Sequence, residues 1–266
     1  MHERERWQLI VQALHGRHVV TVRELVERTG VSPATLRRDL TKLAEDGRIR
    51  RVHGGVEAIE ATARPHLSAL PFDVGQTRNI EHKRQIARAA TALCMDGESI
   101  IINGGTTTYQ MVDFLAGRRL QILTNSFPIA QILIINSENR IVIPGGEIYR
   151  EQGLVISPFD SDATQHFAAS KIFVSCFAVN PRGVIESDPL VARAVIKLLD
   201  RADQLILLAD SSKFVSAGSM AVCPLSRVGT LITDAGIDEA SAEMVRAAGV
   251  KLVIAQADAL SLSSAA

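Results

Sequence analysis

Ser32-Pro33-Ala34-Thr35-Leu36-Arg37-Arg38-Asp39-Leu40, continued by Thr41-Lys42-Leu43, decides how the amino-terminal part of this 266-residue chain folds. Serine is a favoured N-cap and proline is favoured at the first helical position, so a helix opens here. Leu36, Leu40 and Leu43 recur at helical spacing and must face a core. That turns Thr35, Arg37, Arg38, Thr41 and Lys42 outward or to the flanks. Upstream, Trp7, Ile10, Val11 and Leu14 mark a first helix over residues 3–15, stopped by Gly16. After a β-branched run over 18–22, Leu25 and Val26 mark a second helix over 23–29, closed by Gly30. Downstream of Gly47, the stretch Arg48-Ile49-Arg50-Arg51-Val52, the turn His53-Gly54-Gly55 and Val56 read as a small hairpin. Three helices and a hairpin make a winged helix-turn-helix over residues 1–57.

Charge supports a polyanion partner for this segment. The chain is neutral overall, yet residues 1–57 carry eleven Lys/Arg against eight Asp/Glu, and the remainder is acidic by the same margin. A helix with hydroxyl and basic residues near its amino end suits the major groove. There Arg37 and Arg38 can read bases, while Ser32, Thr35, Thr41 and Lys42 hold phosphates. Arg50, Arg51 and His53 bring further polar and positive groups to the wing. A solvated, salt-bridged helix is the plainer reading, with Asp39, Glu45 and Asp46 nearby. The turn chemistry and the wing favour DNA.

Residues 58–77, with Pro65, Pro71 and Gly75, read as a linker. From Arg78 helices and short apolar runs alternate. Helical stretches at 80–94, 107–116, 127–135, 190–200 and 239–247 separate strand candidates at 99–102, 120–123, 141–143, 172–179, 205–209, 228–233 and 251–255. Strands without polar alternation are buried on both faces, and intervening helices argue for a parallel sheet. Residues 78–257 are therefore an α/β domain, and 258–266 a frayed tail. No apolar run approaches the roughly 20 residues of a membrane span, and the charged amino terminus is no secretory signal. Cys94, Cys176 and Cys223 are odd in number and far apart, which argues against a disulfide framework or a metal site and for a cytoplasmic setting. The expected cofactor set is empty.

Three segments follow strands where open α/β sheets bind ligands. Asn103-Gly104-Gly105-Thr106-Thr107 offers backbone donors and hydroxyls that suit a phosphate, though a capped strand-to-helix turn would look the same. It is neither a Walker loop nor a full GxGxxG motif. Thr124-Asn125 follows the next strand, where Asn125 can bond a hydroxyl. Asp210-Ser211-Ser212-Lys213 follows a later one, where Lys213 can pair with a phosphate. An isomerase-like or transferase-like enzyme would need a base. Glu147, Glu186, Asp188, His82 and His166 are available, without a motif that partners them.

The whole pattern resembles a known family. Arg6, Ile10, Leu14, the run from Ser32 to Leu40, and the ending from Gly47 to Gly55 are similar to the signature of the DeoR bacterial regulators. Lys83 with Ile86-Ala87 and Ala90, Asp96-Gly97, Gly105-Thr106-Thr107, Thr124-Asn125, Gly145-Gly146, Asp210-Ser211-Ser212-Lys213-Phe214 and Thr233-Asp234 resemble that family's sensor domain. The resemblance implies a sensor fold like the sugar-phosphate isomerases and a phosphorylated sugar or polyol-derived effector. It implies operator DNA as partner, a repressor acting as homodimer or homotetramer, Arg37 and Arg38 as prime DNA contacts, and Asp39 orienting an arginine or capping a neighbour. Three positions depart from the family pattern. They are Asn103 in place of an acidic residue, residues 173–185 without the usual glycine run, and Leu190-Val191 in place of glutamate. They imply an effector of different shape.

Overall fold

The computed structural model describes residues 3–14, 20–45, 49–52, 55–58, 69–159 and 162–256, and the chain divides into two compact units, 1–64 and 65–266. The first unit holds α1 (Glu3–Leu14), β1 (Val20–Thr21), α2 (Val22–Thr29), α3 (Pro33–Glu45), β2 (Ile49–Val52) and β3 (Gly55–Ala58). β3 lies between β1 and β2, antiparallel to both. Thr21 accepts the Glu24 amide and starts α2, which is why the β-branched run breaks into helix at Val22. Gly30, in the left-handed conformation at φ 65°, closes α2. Ser32 Oγ accepts the Thr35 amide at 3.2 Å and caps α3. Leu36, Leu40 and Leu43 are buried against Ile10, Leu14, Leu25, Ile49 and Val56. The winged helix-turn-helix is thus formed as its pattern predicts. Gly16, Gly47, Arg48, His53 and Gly54 lie outside the described residues.

The second unit opens with α4 (Phe72–Gly75) and α5 (Ile80–Thr91). There follow β4 (Ser99–Ile102), α6 (Thr106–Tyr109), α7 (Val112–Leu115), β5 (Gln121–Thr124), α8 (Phe127–Asn136) and β6 (Arg140–Val142). After the antiparallel pair β7 (Glu147–Tyr149) and β8 (Leu154–Ile156) come β9 (Ala169–Ser175), β10 (Ala178–Asn180), β11 (Gly183–Glu186) and α9 (Pro189–Leu199). The chain continues with β12 (Ala202–Leu208), β13 (Met220–Cys223), β14 (Thr230–Thr233), α10 (Glu239–Ala247) and β15 (Lys251–Ile254). Seven strands form one parallel sheet in the order β15-β14-β12-β9-β4-β5-β6.

Alternate residues of each strand feed two cores. Ile100, Ile102, Phe173, Ile206 and Leu208 join α5, α7 and α8 on one face. Ile101, Ile172, Val174, Leu205 and Leu207 join α9 and α10 on the other. Both faces are covered, so the strands carry no polar alternation.

Two expectations change. Residues 69–77 are not linker but part of the second unit, because their backbone is hydrogen-bonded into it. The Phe72 amide donates to Glu151 O at 2.8 Å, and Gln152 Nε2 donates to Leu70 O at 3.1 Å. The Ala69 amide donates to Ser187 Oγ at 2.9 Å. The run 172–179 is two strands, with β10 leaving the main sheet to join β11 and β13 in a small antiparallel one. Residues 257–266, expected as a frayed tail, lie outside the described residues. Among the described residues no helix is long and apolar enough to cross a membrane, and no group of His, Cys, Asp and Glu could hold a metal. The three cysteines are free, and burial pushes the Cys94 thiol up to about 12 and the Cys223 thiol to about 11.

Candidate functional site

On α3 the residues divide by face. Arg37, Arg38 and Lys42 are exposed, while Asp39, between them, is buried. Asp39 accepts from Arg6 Nε at 2.8 Å and from Trp7 Nε1 at 3.1 Å. It therefore fixes α1 against α3 and orients an arginine, while its neighbours face outward. Lys42 lies 5.9 Å over the Trp7 ring. Thr41 donates to the Arg37 carbonyl at 2.9 Å and receives Arg51 of β2 at 3.4 Å, so wing and helix meet at one half-buried threonine. Arg50 stands on β2 next to Arg51. Ser32 and Thr35, with hydroxyls 3.0 Å apart, close the amino end.

In the second unit the strand order places the ligand crevice. The chain runs outward from β4 to β5 and β6, then returns to lay β9 on the other side of β4 and runs outward again to β12, β14 and β15. The carboxyl ends of β4 and β9 flank this switch point, where open α/β sheets bind ligands. The turn after β4 is Asn103-Gly104-Gly105. A Cβ on Gly105 would stand 1.8 Å from Ser175 Oγ, and one on Gly104 would stand 2.1 Å from Leu154 Cδ2. Glycine is needed here for close approach to β9 and β8. The Gly104 amide donates to Asn125 Oδ1 at 2.8 Å, so the Asn125 side chain also holds the turn. Thr108, fully buried, donates to the carbonyls of Asn103 and Gly105 at 2.7 and 3.0 Å. The first-turn amides at Thr106 and Thr107 have no acceptor within α6, and the Thr107 side chain is buried beside them.

Across the crevice, beyond β9, stands the loop after β12. With strands about 4.8 Å apart, the ends of β4 and β12 are about 10 Å apart, room for a small metabolite. Asp210 is buried and accepts from Asn79 Nδ2 at 3.1 Å and from the Ser212 hydroxyl. Burial opposes its charge. Lys213, Ser212, Lys83 and Asn79 outweigh that and hold the carboxyl below its ordinary value. Lys83 of α5, also buried, donates to the Gly75 carbonyl at 2.6 Å. Burial pulls its pKa down to about 8, against the attraction of Asp210 and with repulsion from Lys213 and Arg78. Glu186, at the end of β11, is buried near Lys213, and burial raises it to about 7. Asn79 has φ 52°, the one non-glycine positive φ among the described residues, beside this cluster.

The sequence-predicted groups Gly104, Gly105, Thr106, Thr107 and Asn125 thus follow the neighbouring strands β4 and β5, and Asp210 and Lys213 follow β12, on the far side of β9. Asn79 and Ser175 were not singled out in the sequence, while Lys83 stood only in the family resemblance and Glu186 only among the candidate bases. For Lys83 a buried position on a helix with Ile86, Ala87 and Ala90 was the available signal. Of the candidate bases, Asp188 accepts from the Leu190 and Val191 amides and from the Tyr149 hydroxyl, Glu147 and His166 are exposed, and His82 pairs with Asp234 at 3.4 Å.

A winged helix-turn-helix with an outward basic helix, joined in one chain to an α/β domain with a polar crevice, defines a DNA-binding transcription regulator with a sensor. Residues 6–62 match the family described as DeoR-like helix-turn-helix domain, and residues 78–235 match the DeoR C terminal sensor domain. The chain belongs to the DeoR family. It is 34% identical over 253 residues to the HTH-type transcriptional regulator UlaR of Shigella dysenteriae serotype 1, covering 95% of this chain and 99% of that one. The same figures hold for the regulator of that name from Escherichia coli O1:K1. Among solved structures, ribose 5-phosphate isomerase A from Methanocaldococcus jannaschii aligns at TM-score 0.36 and 16% identity, covering 50% of this chain and 53% of that one. An eIF2B delta from Chaetomium thermophilum aligns at 0.37 and 13%, covering 52% and 49%.

Proposed function

We propose that the chain is a cytoplasmic repressor of a carbohydrate or polyol catabolic operon, binding its operator as a homodimer or homotetramer and controlled by a phosphorylated sugar or polyol-derived effector. The observation that carries the effector reading is the Gly104-Gly105 turn at the switch point of the sheet, with Lys83 and Lys213 acting on Asp210 at the end of β12, two strands away. Ser32, Thr35, Arg37, Arg38, Thr41, Lys42, Arg50, Arg51 and His53 are the proposed DNA contacts. Asn103, Gly104, Gly105, Thr106, Thr107, Asn125, Asp210 and Lys213 are the proposed effector residues. Thermal unfolding of the full chain against paired free and phosphorylated sugars tests the effector. Stabilisation by phosphorylated members alone is the expected result. Incubation with the same panel is expected to give no turnover, whereas an enzyme using Glu186 as base would convert one member.

The DNA reading makes a separate prediction. With an operator selected from a random duplex pool, Arg38→Ala should lose about 1–3 kcal/mol on that sequence and little on random DNA. Arg51→Ala should weaken both alike and flatten the salt dependence, because a phosphate contact releases counterions without reading bases. Equal losses on both DNAs for the two variants would reverse these roles.

The glycine turn makes another. Gly105→Ala places a methyl where Ser175 Oγ stands, and overpacking of this kind costs about 1–3 kcal/mol. Effector stabilisation should vanish in Gly105→Ala, and Ser175→Gly in the same chain should restore part of it by making room.

A further inference from the structure

The helix α8 is apolar on all sides. From Phe127 to Asn136 it holds no charged residue, which is true of no other long helix among the described residues. One face is buried, with Ile129 and Leu133 in the core and Ala130 between them. The other face is not. Phe127, Gln131, Ile134 and Ile135 are exposed, Ile134 at 65% and Ile135 at 71%, and their helical spacing puts them on one stripe. A helix apolar all round belongs in an interior, and large apolar side chains grouped at a surface mark a protein contact. α8 packs beside β5 and β6, and β6 is the last strand of the sheet in that direction, so no further strand of the sheet covers the stripe.

We propose that this stripe is where a second copy of the chain docks, the two α8 helices lying antiparallel about a two-fold axis at Gln131. The inference deepens the homo-oligomer reading above and rests on it. The stripe is its own complement. Gln131 stands midway between Phe127 and Ile135, so a two-fold axis through it sets Phe127 of one copy against Ile134 and Ile135 of the other. The glutamine then meets itself. A side-chain amide both donates and accepts, so the pair satisfies itself when water leaves. One such buried amide also fixes register, as it does between coiled helices. No charge on α8 opposes the approach of a second α8. Glu138 and Arg140, exposed and of opposite sign, follow the helix and supply a polar rim that can match its own copy. A nucleic acid finds no cation on this stripe. An unrelated protein gains nothing from having its one polar residue at the midpoint.

Sedimentation of the full chain over a range of concentrations tests this. Gln131→Glu keeps the size of the side chain and sets two like charges against each other. Association should weaken about a hundredfold at neutral pH and recover as acid protonates the pair. Gln131→Lys should weaken it to a similar degree. An equimolar mixture of the two variants should associate again at close to native strength, because each glutamate then meets a lysine. Only a residue that faces its own copy gives that recovery. Residue 131 is exposed in the single chain, so both variants should keep the native circular dichroism. Native assembly that neither variant weakens overturns the inference and leaves the homo-oligomer reading standing. Variants that dissociate and stay apart when mixed overturn it too, since Gln131 then does not meet itself. A native chain that stays monomeric at every concentration removes both readings.

Discussion

Asp39→Ala should destabilise the amino-terminal unit by about 3 kcal/mol while the sensor stays folded. The aspartate is buried, and Arg6 and Trp7 both donate to it. Truncating one partner of a buried ion pair costs about 3–5 kcal/mol, and the slight exposure of Arg6 places this case at the lower end. Burial opposes the Asp39 charge. The hydrogen bonds of Arg6 and Trp7, with the charges of Arg6 and Lys42, outweigh it and lower the pKa below the ordinary 3.8. The stabilisation is therefore complete above the unfolded-state value and is lost as pH falls through the lower, folded one. Hydrogen exchange of peptides from α1 and α3 checks this. It should quicken in Asp39→Ala at neutral pH and in the native chain only in strong acid. Arg38→Ala, one residue away, should leave that exchange unchanged. A head as stable in Asp39→Ala as in the native chain would mean that the helices hold together by their leucines alone.

Loss of the phosphate from the effector should weaken binding about a hundredfold. Charge-assisted hydrogen bonds contribute about 1.5–3 kcal/mol each, and the crevice offers two lysines as well as the Gly-Thr turn. Lys213→Ala should lower affinity for the phosphorylated ligand and spare operator binding by the free chain. Thr107→Val, at nearly constant volume, should act in the same direction more weakly. The pH profile separates the two lysines. A phosphate monoester is fully charged above its second pKa of about 6. Lys83, at about 8, loses its proton as pH rises through that value, with Asp210 favouring the charge and burial, Lys213 and Arg78 opposing it. Affinity should therefore fall above pH 8, and Lys83→Arg should hold it level. Calorimetry on paired free and phosphorylated sugars measures both effects. Equal affinity for the two members of a pair would leave the Gly-Thr turn as a turn only.

How much of this was legible in the sequence depends on how local the cause is. Ser32, Pro33 and Gly30 act on their own backbone, so α2 and α3 could be read directly, and the leucine stripe of α3 has one face to satisfy. The parallel sheet was legible for a related reason, since runs such as Ile100-Ile101-Ile102 leave no polar face. Residues 69–77 were not, because Pro71 and Gly75 read as linker and the order comes from Glu151, Gln152 and Ser187, far along the chain. β7, β8 and the small antiparallel sheet were missed because they pair antiparallel, outside the alternation of helix and strand by which the main sheet is read. In the site, the Gly104-Gly105 turn and the Asp210–Lys213 loop announced themselves by glycine, hydroxyl and charge at strand ends. Lys83, Asn79 and Glu186 stand near Asp210 and Lys213 only because the fold brings the start of α5 and the end of β11 to the end of β12, a fact that no short stretch contains.

The register of β4 on β9 has a consequence for the chain as it is made. Ile100 lies beside Lys171, some seventy residues later, and the crevice is the seam between them. During synthesis the amino-terminal part folds first, at about 5–20 residues per second. A DNA-binding head is therefore complete while β9 is still to be made, and pairing across so long an interval is slow. For that interval each new molecule carries its DNA-binding head without a finished sensor domain. Control arrives only when the two halves of the sheet are joined.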